Sequence, residues 1–130
     1  MLPRDLEDWL TEEGGRIVEK AVKMGGEDRL DERERLLHEV WLLDTEQRNG
    51  GLSQYFCNWG LERWRTLARL AAPALPSFAR FTAKIDAVVQ ESSDPYEAIL
   101  ACGVSLDGWY EEWQTQLVPE LRVRVGGGAG

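Results

Sequence analysis

The chain holds one histidine, two cysteines and no long apolar run. Each shortage removes a class of function. Nucleophilic catalysis by a triad needs an imidazole beside the nucleophile, and His38 is the sole imidazole. His38-Glu39-Val40-Trp41 opens like a zinc-protease helix, but Leu42 stands where the second histidine belongs. One imidazole with Cys57 and Cys102, 45 residues apart, makes a poor metal site. No metal and no cofactor is therefore expected. No Gly-x-Ser-x-Gly elbow occurs, and no glycine-rich loop leads into Lys-Ser or Lys-Thr. The longest apolar stretch, Ala98 to Val104, falls far short of the roughly 20 residues of a membrane helix. The first residues, Met1-Leu-Pro-Arg-Asp-Leu-Glu-Asp, do not read as a secretory signal. A cytoplasmic setting with two reduced, mostly buried thiols is the expectation. Basic residues are also short, 15 against 23 acids, for a net charge of −8. Direct nucleic-acid binding needs a basic face, so neither nucleic acid nor membrane is an expected partner.

What is present is an ordinary globular mixture, 43 % hydrophobic and 29 % charged. The length suits a single domain, placed at 1–125, followed by a flexible glycine-rich tail at 126–130. Apolar residues repeat at helical spacing almost throughout. Leu6, Leu10, Ile17, Ala21 and Met24 mark a first helix, which Gly14-Gly15 threatens to kink. Asp31 with Glu34 reads as a capping box opening a second helix through Leu36, Leu37, Val40 and Leu43. That helix is expected to stop at Asn49-Gly50-Gly51, before a short aromatic segment. A third carries Leu61, Trp64, Leu67 and Ala71, and Pro73 and Pro76 close it. Phe78, Phe81 and Ile85 mark a fourth. Asp94-Pro95-Tyr96-Glu97 starts a fifth. Trp109, Trp113, Leu117 and Leu121 mark a last, with Pro119 as a candidate kink. Only Leu121 to Val125 alternates at period two. The expected fold is all-α, a compact bundle of five or six helices with little or no sheet.

Charge is unevenly spread. Residues 1–50 hold 14 acids and eight bases. Residues 51–90 hold Glu62 and Asp86 against Arg63, Arg65, Arg69, Arg80 and Lys84. Residues 91–120 hold seven acids and no base: Glu91, Asp94, Glu97, Asp107, Glu111, Glu112 and Glu120. This last segment is the candidate acidic binding face, though a solvated surface is the plainer reading. Trp109 and Trp113 lie one helical turn apart and are candidate aromatic anchors, or else core. Trp41, Trp59 and Trp64 sit on apolar stripes and read as core. Glu39, Glu46 and Glu62 could pair as acid and base, but nothing in their spacing singles them out.

The most specific stretch runs from Glu46 to Asn58. A helix runs into Asn49-Gly50-Gly51, where left-handed backbone is cheap. Tyr55 and Phe56 can then plug the core while the Gln54 and Asn58 amides satisfy backbone groups at the break. The reading is a structural corner, with a ligand-binding corner as the alternative. Glu46, Asn49, Gly50, Gly51, Gln54, Tyr55, Phe56 and Asn58, preceded by Leu37-His-Glu-Val-Trp41, resemble the pattern of the DNA-mimic-protein-19-like family, domain of unknown function number 4375. Leu52 stands where the family usually has Phe. Ser105 to Glu112 is similar to the family's acidic, aromatic last helix. The resemblance implies an all-α bacterial protein without known catalytic residues, whose named member is a dimeric DNA mimic that binds a transcription factor.

The leading expectation is a non-enzymatic acidic module that occupies a basic surface of a protein partner, a DNA-binding surface among them. A homodimer stays open. One alternative is an immunity or antitoxin-like inhibitor of a toxin. The other is a small hydrolase or ligand binder built on the Asn49–Asn58 corner.

Overall fold

The computed structural model describes residues 3–89, 93–102 and 104–125, with backbone only at 95 and 104–109. All the elements described are helical. Helix α1 (Arg4–Met24) buries Leu10, Gly14, Ile17 and Ala21 along one side. It ends at Gly25, whose left-handed φ of 92° lets Gly26 N–H return to the Ala21 carbonyl at 2.9 Å. The Gly14-Gly15 pair does not kink it. Gly14 is small because α2 packs there: a β-carbon would fall 2.0 Å from Trp41 Cδ1.

After a 3₁₀ turn (Glu27–Arg29), Asp31 caps α2 (Glu32–Ala71). Its carboxylate accepts the Glu34 N–H at 2.9 Å, and Glu34 returns the bond to Asp31 N–H at 3.1 Å, the expected capping box. Helix α2 is three rods in series. Backbone angles leave the helical region at Gly50 and Gly51 and again at Gly60, where φ is 76°. The expected stop at Asn49-Gly50-Gly51 is therefore a break between rods. The aromatic segment beyond it is helical.

Helix α3 (Pro76–Val89) buries Phe78, Phe81, Ile85 and Val89. Asp94 caps α4 (Pro95–Cys102), accepting the Glu97 N–H at 3.2 Å. Helix α5 (Val104–Val125) runs through Pro119 without a break, because Trp113, Leu117, Val118 and Leu121 anchor it to the core on both sides. The alternating residues 121–125 are its last turn, not a strand.

Helix α2 is the hub and touches the other four. One continuous core results. Its aromatic centre is Trp64, Phe78, Phe81, Tyr110 and Trp113, with the Phe81 and Trp113 rings stacked at 4.1 Å. Two indole N–H groups within it are partnered across helices. Trp64 Nε1 donates to Asp86 at 3.0 Å and Trp113 Nε1 donates to the Ser77 carbonyl at 3.0 Å. Among the described residues no helix is long and apolar enough to cross a membrane. The expected tail at 126–130 lies outside the described residues.

Candidate functional site

The Glu46–Asn58 stretch folds as one hydrogen-bonded corner. Glu46, on the first rod of α2, reaches across the break to the second. Its Oε2 accepts Gln54 Nε2 at 3.1 Å and Asn58 Nδ2 at 2.6 Å. The amides thus serve a carboxylate, not the exposed backbone groups the sequence suggests. The break needs its glycines for two different reasons. Gly51 has φ 80° and ψ 177°, a region closed to side chains. Gly50 has a negative φ of −158°, but a β-carbon there would lie 2.0 Å from Gln54 Oε1. Tyr55 and Phe56 are buried on the core side of the second rod, and Asn49 is exposed at the end of the first. With both amides committed to Glu46, the corner offers little to a ligand.

Arg63 organises a second cluster. Its Nε donates to Glu39 Oε1 at 2.8 Å, and its Nη1 and Nη2 donate to Glu27 at 2.9 and 3.0 Å. Nη2 also bonds Glu39 Oε2 and lies 3.3 Å from His38 Nδ1. Glu39 is only 1 % exposed, so the guanidinium is its counter-charge. Burial alone would raise the Glu27 carboxyl, but the hydrogen bonds and charge of Arg63 outweigh it and hold Glu27 below its ordinary 4.5. The ligand atoms of Glu27, His38 and Glu39 lie within 4.8 Å of one another, a spacing that suits a cation. Arg63 supplies that cation from within the chain. Its plane also reaches Trp59, 5.1 Å from the ring centroid. Trp59 is 43 % exposed, which corrects its expected place in the core. Glu39 and Glu46 belong to separate hydrogen-bond sets and Glu62 is exposed, so the three form no acid–base pair.

A third polar group sits deeper. Asp44, 1 % exposed, accepts Tyr110 Oη at 2.9 Å and Gln114 Nε2 at 2.6 Å from α5. Arg48 Nε lies 3.0 Å from its other oxygen, a charge contact without hydrogen-bond alignment. Burial pushes the Asp44 carboxyl above its ordinary value, against the opposing pull of Arg48. Burial and the Asp44 charge likewise push the Tyr110 phenol up.

The candidate acidic segment divides. Glu97, Glu111 and Glu112 are exposed. Glu120 is turned inward to cap α3, accepting Ser77 N–H at 3.0 Å and Ser77 Oγ–H at 2.8 Å. Asp94 caps α4. Glu91 and the side chains of Asp107 and Trp109 lie outside the described residues. Trp113, a candidate anchor, is 4 % exposed and belongs to the core. Cys57 is exposed and Cys102 half-buried, unlike the mostly buried thiols expected.

The more regular acidic surface lies on α1. From Asp5 to Glu19 six carboxylates accompany one arginine. Glu7 pairs with Arg48 at 2.9 Å and Glu13 with Arg16 at 2.8 Å. Asp5, Asp8, Glu12 and Glu19 are exposed and form no ion pair among the described residues. At 3.6 residues per turn these four fall within an arc of about 60°. Their spacing of three, four and seven residues is the sequence signal for this row. A charge summed over residues 1–50 conceals it.

A family model described as DMP19-like protein matches residues 28–117. No curated protein and no solved structure matches the chain. The matched span runs from the 3₁₀ turn to the middle of α5 and holds the whole Glu46–Asn58 corner. It covers well over half of the 130 residues, and the chain therefore belongs to the DMP19-like family.

Proposed function

We propose that this protein is a non-enzymatic binding module that presents carboxylates to the basic, DNA-binding surface of a protein partner, as a DNA mimic. The α1 row carries this reading. Asp5, Asp8, Glu12 and Glu19 stand on a single rigid helix, uncompensated by ion pairs among the described residues. They span about 21 Å of helix rise. One DNA strand places roughly six phosphates over the same rise, so the row reproduces about two-thirds of that charge density. Family membership supports the reading, since no enzymatic activity is known for the DMP19-like family. The Glu46 corner lends no support to a hydrolase, because its amides are already bound.

The test uses the immobilised protein as bait. The captured partner is identified, then challenged with duplex DNA and with salt. A mimic is displaced by both, because like charges compete for one surface and salt screens it. The quadruple variant Asp5→Asn, Asp8→Asn, Glu12→Gln, Glu19→Gln should lose the partner while keeping its helicity. A partner indifferent to DNA, or held equally by the quadruple variant, overturns the reading. A captured toxin nuclease inhibited by the bait replaces it with the immunity alternative.

A further inference from the structure

One cavity in this acidic protein is lined by arginine. Its volume is about 690 Å³, within the roughly 300–1,000 Å³ range of small-ligand sites. It lies where the first turn of α2, the end of α2 and the end of α5 converge. Arg33, Arg35, Arg69 and Arg124 line it, and Glu32 is the sole acid in the lining.

Arg16, Lys20, Arg48 and Arg63 each hold a carboxylate partner. Arg33, Arg35, Arg69 and Arg124 form no hydrogen bond or ion pair among the described residues. Arg4, Arg29 and Arg65 are likewise without an ion pair among the described residues, but only the four guanidiniums of the lining gather at this cavity. Arg35 only acts at longer range on Glu27. In a chain with eight more acids than bases, four uncommitted guanidiniums around one cavity are not enforced by composition. Helix physics does not explain them either. Arg33 and Arg35 stand in the first turn of α2, at the positive end of the helix dipole, where cations are disfavoured. An anion in the cavity would relieve their mutual repulsion and meet that same dipole favourably.

We propose that this cavity binds a small polyphosphorylated ligand, with its phosphoryl groups on Arg33, Arg35, Arg69 and Arg124. Guanidinium forks match phosphoryl oxygens two at a time, and three net positive charges in the lining suit a di- or triphosphate. Leu36, Leu70 and Pro73 in the same lining accept a compact apolar group on the ligand. The site uses none of the α1 row, so it stands or falls separately from the mimicry reading.

Isothermal titration of the full chain with inorganic tripolyphosphate tests it. Saturable binding of one anion per chain is expected. Arg69→Gln and Arg33→Gln should each weaken it at least tenfold. Arg69→Lys should keep part of the affinity, since it preserves charge but not the fork. Arg65→Gln, an exposed arginine outside the lining, should change it less than twofold. Circular dichroism confirms that each variant remains folded, which surface positions on helix ends permit. Heat that fails to saturate at millimolar anion overturns the proposal. So does a loss with Arg65→Gln equal to that with Arg69→Gln, which would mean diffuse attraction only.

Discussion

Gly14 of α1 lies directly against the indole of Trp41 on α2, with room for a hydrogen and not for a methyl group. Its neighbour Gly15 is exposed, and a β-carbon there would meet nothing within 4 Å. Two adjacent glycines therefore respond oppositely to the same change. Gly14→Ala forces the helices apart or the indole aside and should cost about 1–3 kcal/mol. Gly15→Ala only stiffens an exposed helical position and should gain about 0.5–1 kcal/mol. Urea unfolding of the two variants settles it. Equal effects would mean that α1 and α2 do not meet at Trp41.

The Glu46 corner makes a graded prediction. Glu46→Ala removes two charge-assisted hydrogen bonds and should cost about 1.5 kcal/mol, the lower end for charged pairs because Asn58 is exposed. Gly51→Ala must adopt a backbone conformation closed to side chains and should cost about 1–3 kcal/mol. Gly50→Ala meets Gln54, whose amide end at 2.0 Å can swing away at the expense of its bond to Glu46 while its Cβ at 3.1 Å must give by a few tenths of an ångström. Its cost should therefore shrink when Glu46 is already Ala. A double-mutant cycle measures this coupling, and strict additivity would refute it.

Arg63 and Glu39 give the largest expected effect. Arg63→Leu leaves the Glu39 carboxylate buried without a counter-charge, at about 3–5 kcal/mol. Adding Glu39→Leu should recover most of that loss, because the penalty comes from the orphaned charge. If the double variant is no more stable than Arg63→Leu alone, Arg63 acts mainly through other contacts, Glu27 and Trp59 among them.

Local chemistry makes much of the fold legible. The Asp31–Glu34 box and the Asp94 cap are short-range devices, and their residue types announce them. The core stripes of α3 and α5 follow from period alone. What depends on a distant partner stays hidden. Gly14 reads as a helix breaker until Trp41 is placed beside it. Glu120 reads as a surface acid until Ser77 is placed under it. Trp59 reads as core because it falls on the Leu52–Tyr55–Phe56 stripe of its own rod, yet that rod ends at Gly60 and the ring lies exposed beside Arg63. The cavity arginines come from both ends of α2 and from the end of α5, a convergence that no local pattern encodes.

Asp44 and Glu27 should leave opposite marks on the pH dependence of stability. The Asp44 carboxyl is raised in the folded protein, chiefly by burial. Between its ordinary 3.8 and that raised value the folded state holds more protons than the unfolded chain, so stability falls as pH rises. Glu27 is lowered, with the Arg63 contacts outweighing burial. Its contribution is complete above 4.5 and is lost as pH falls through the lowered value. Unfolding free energies from urea titrations across the acid range would be measured for the parent, Asp44→Asn and Glu27→Gln. The advantage of the parent over Asp44→Asn should shrink as pH rises from about 4, whereas its advantage over Glu27→Gln should grow towards 4.5 and then level off. Parallel curves for all three proteins would show that neither carboxyl is perturbed by folding, and the buried Asp44–Tyr110 bond would lose its electrostatic account.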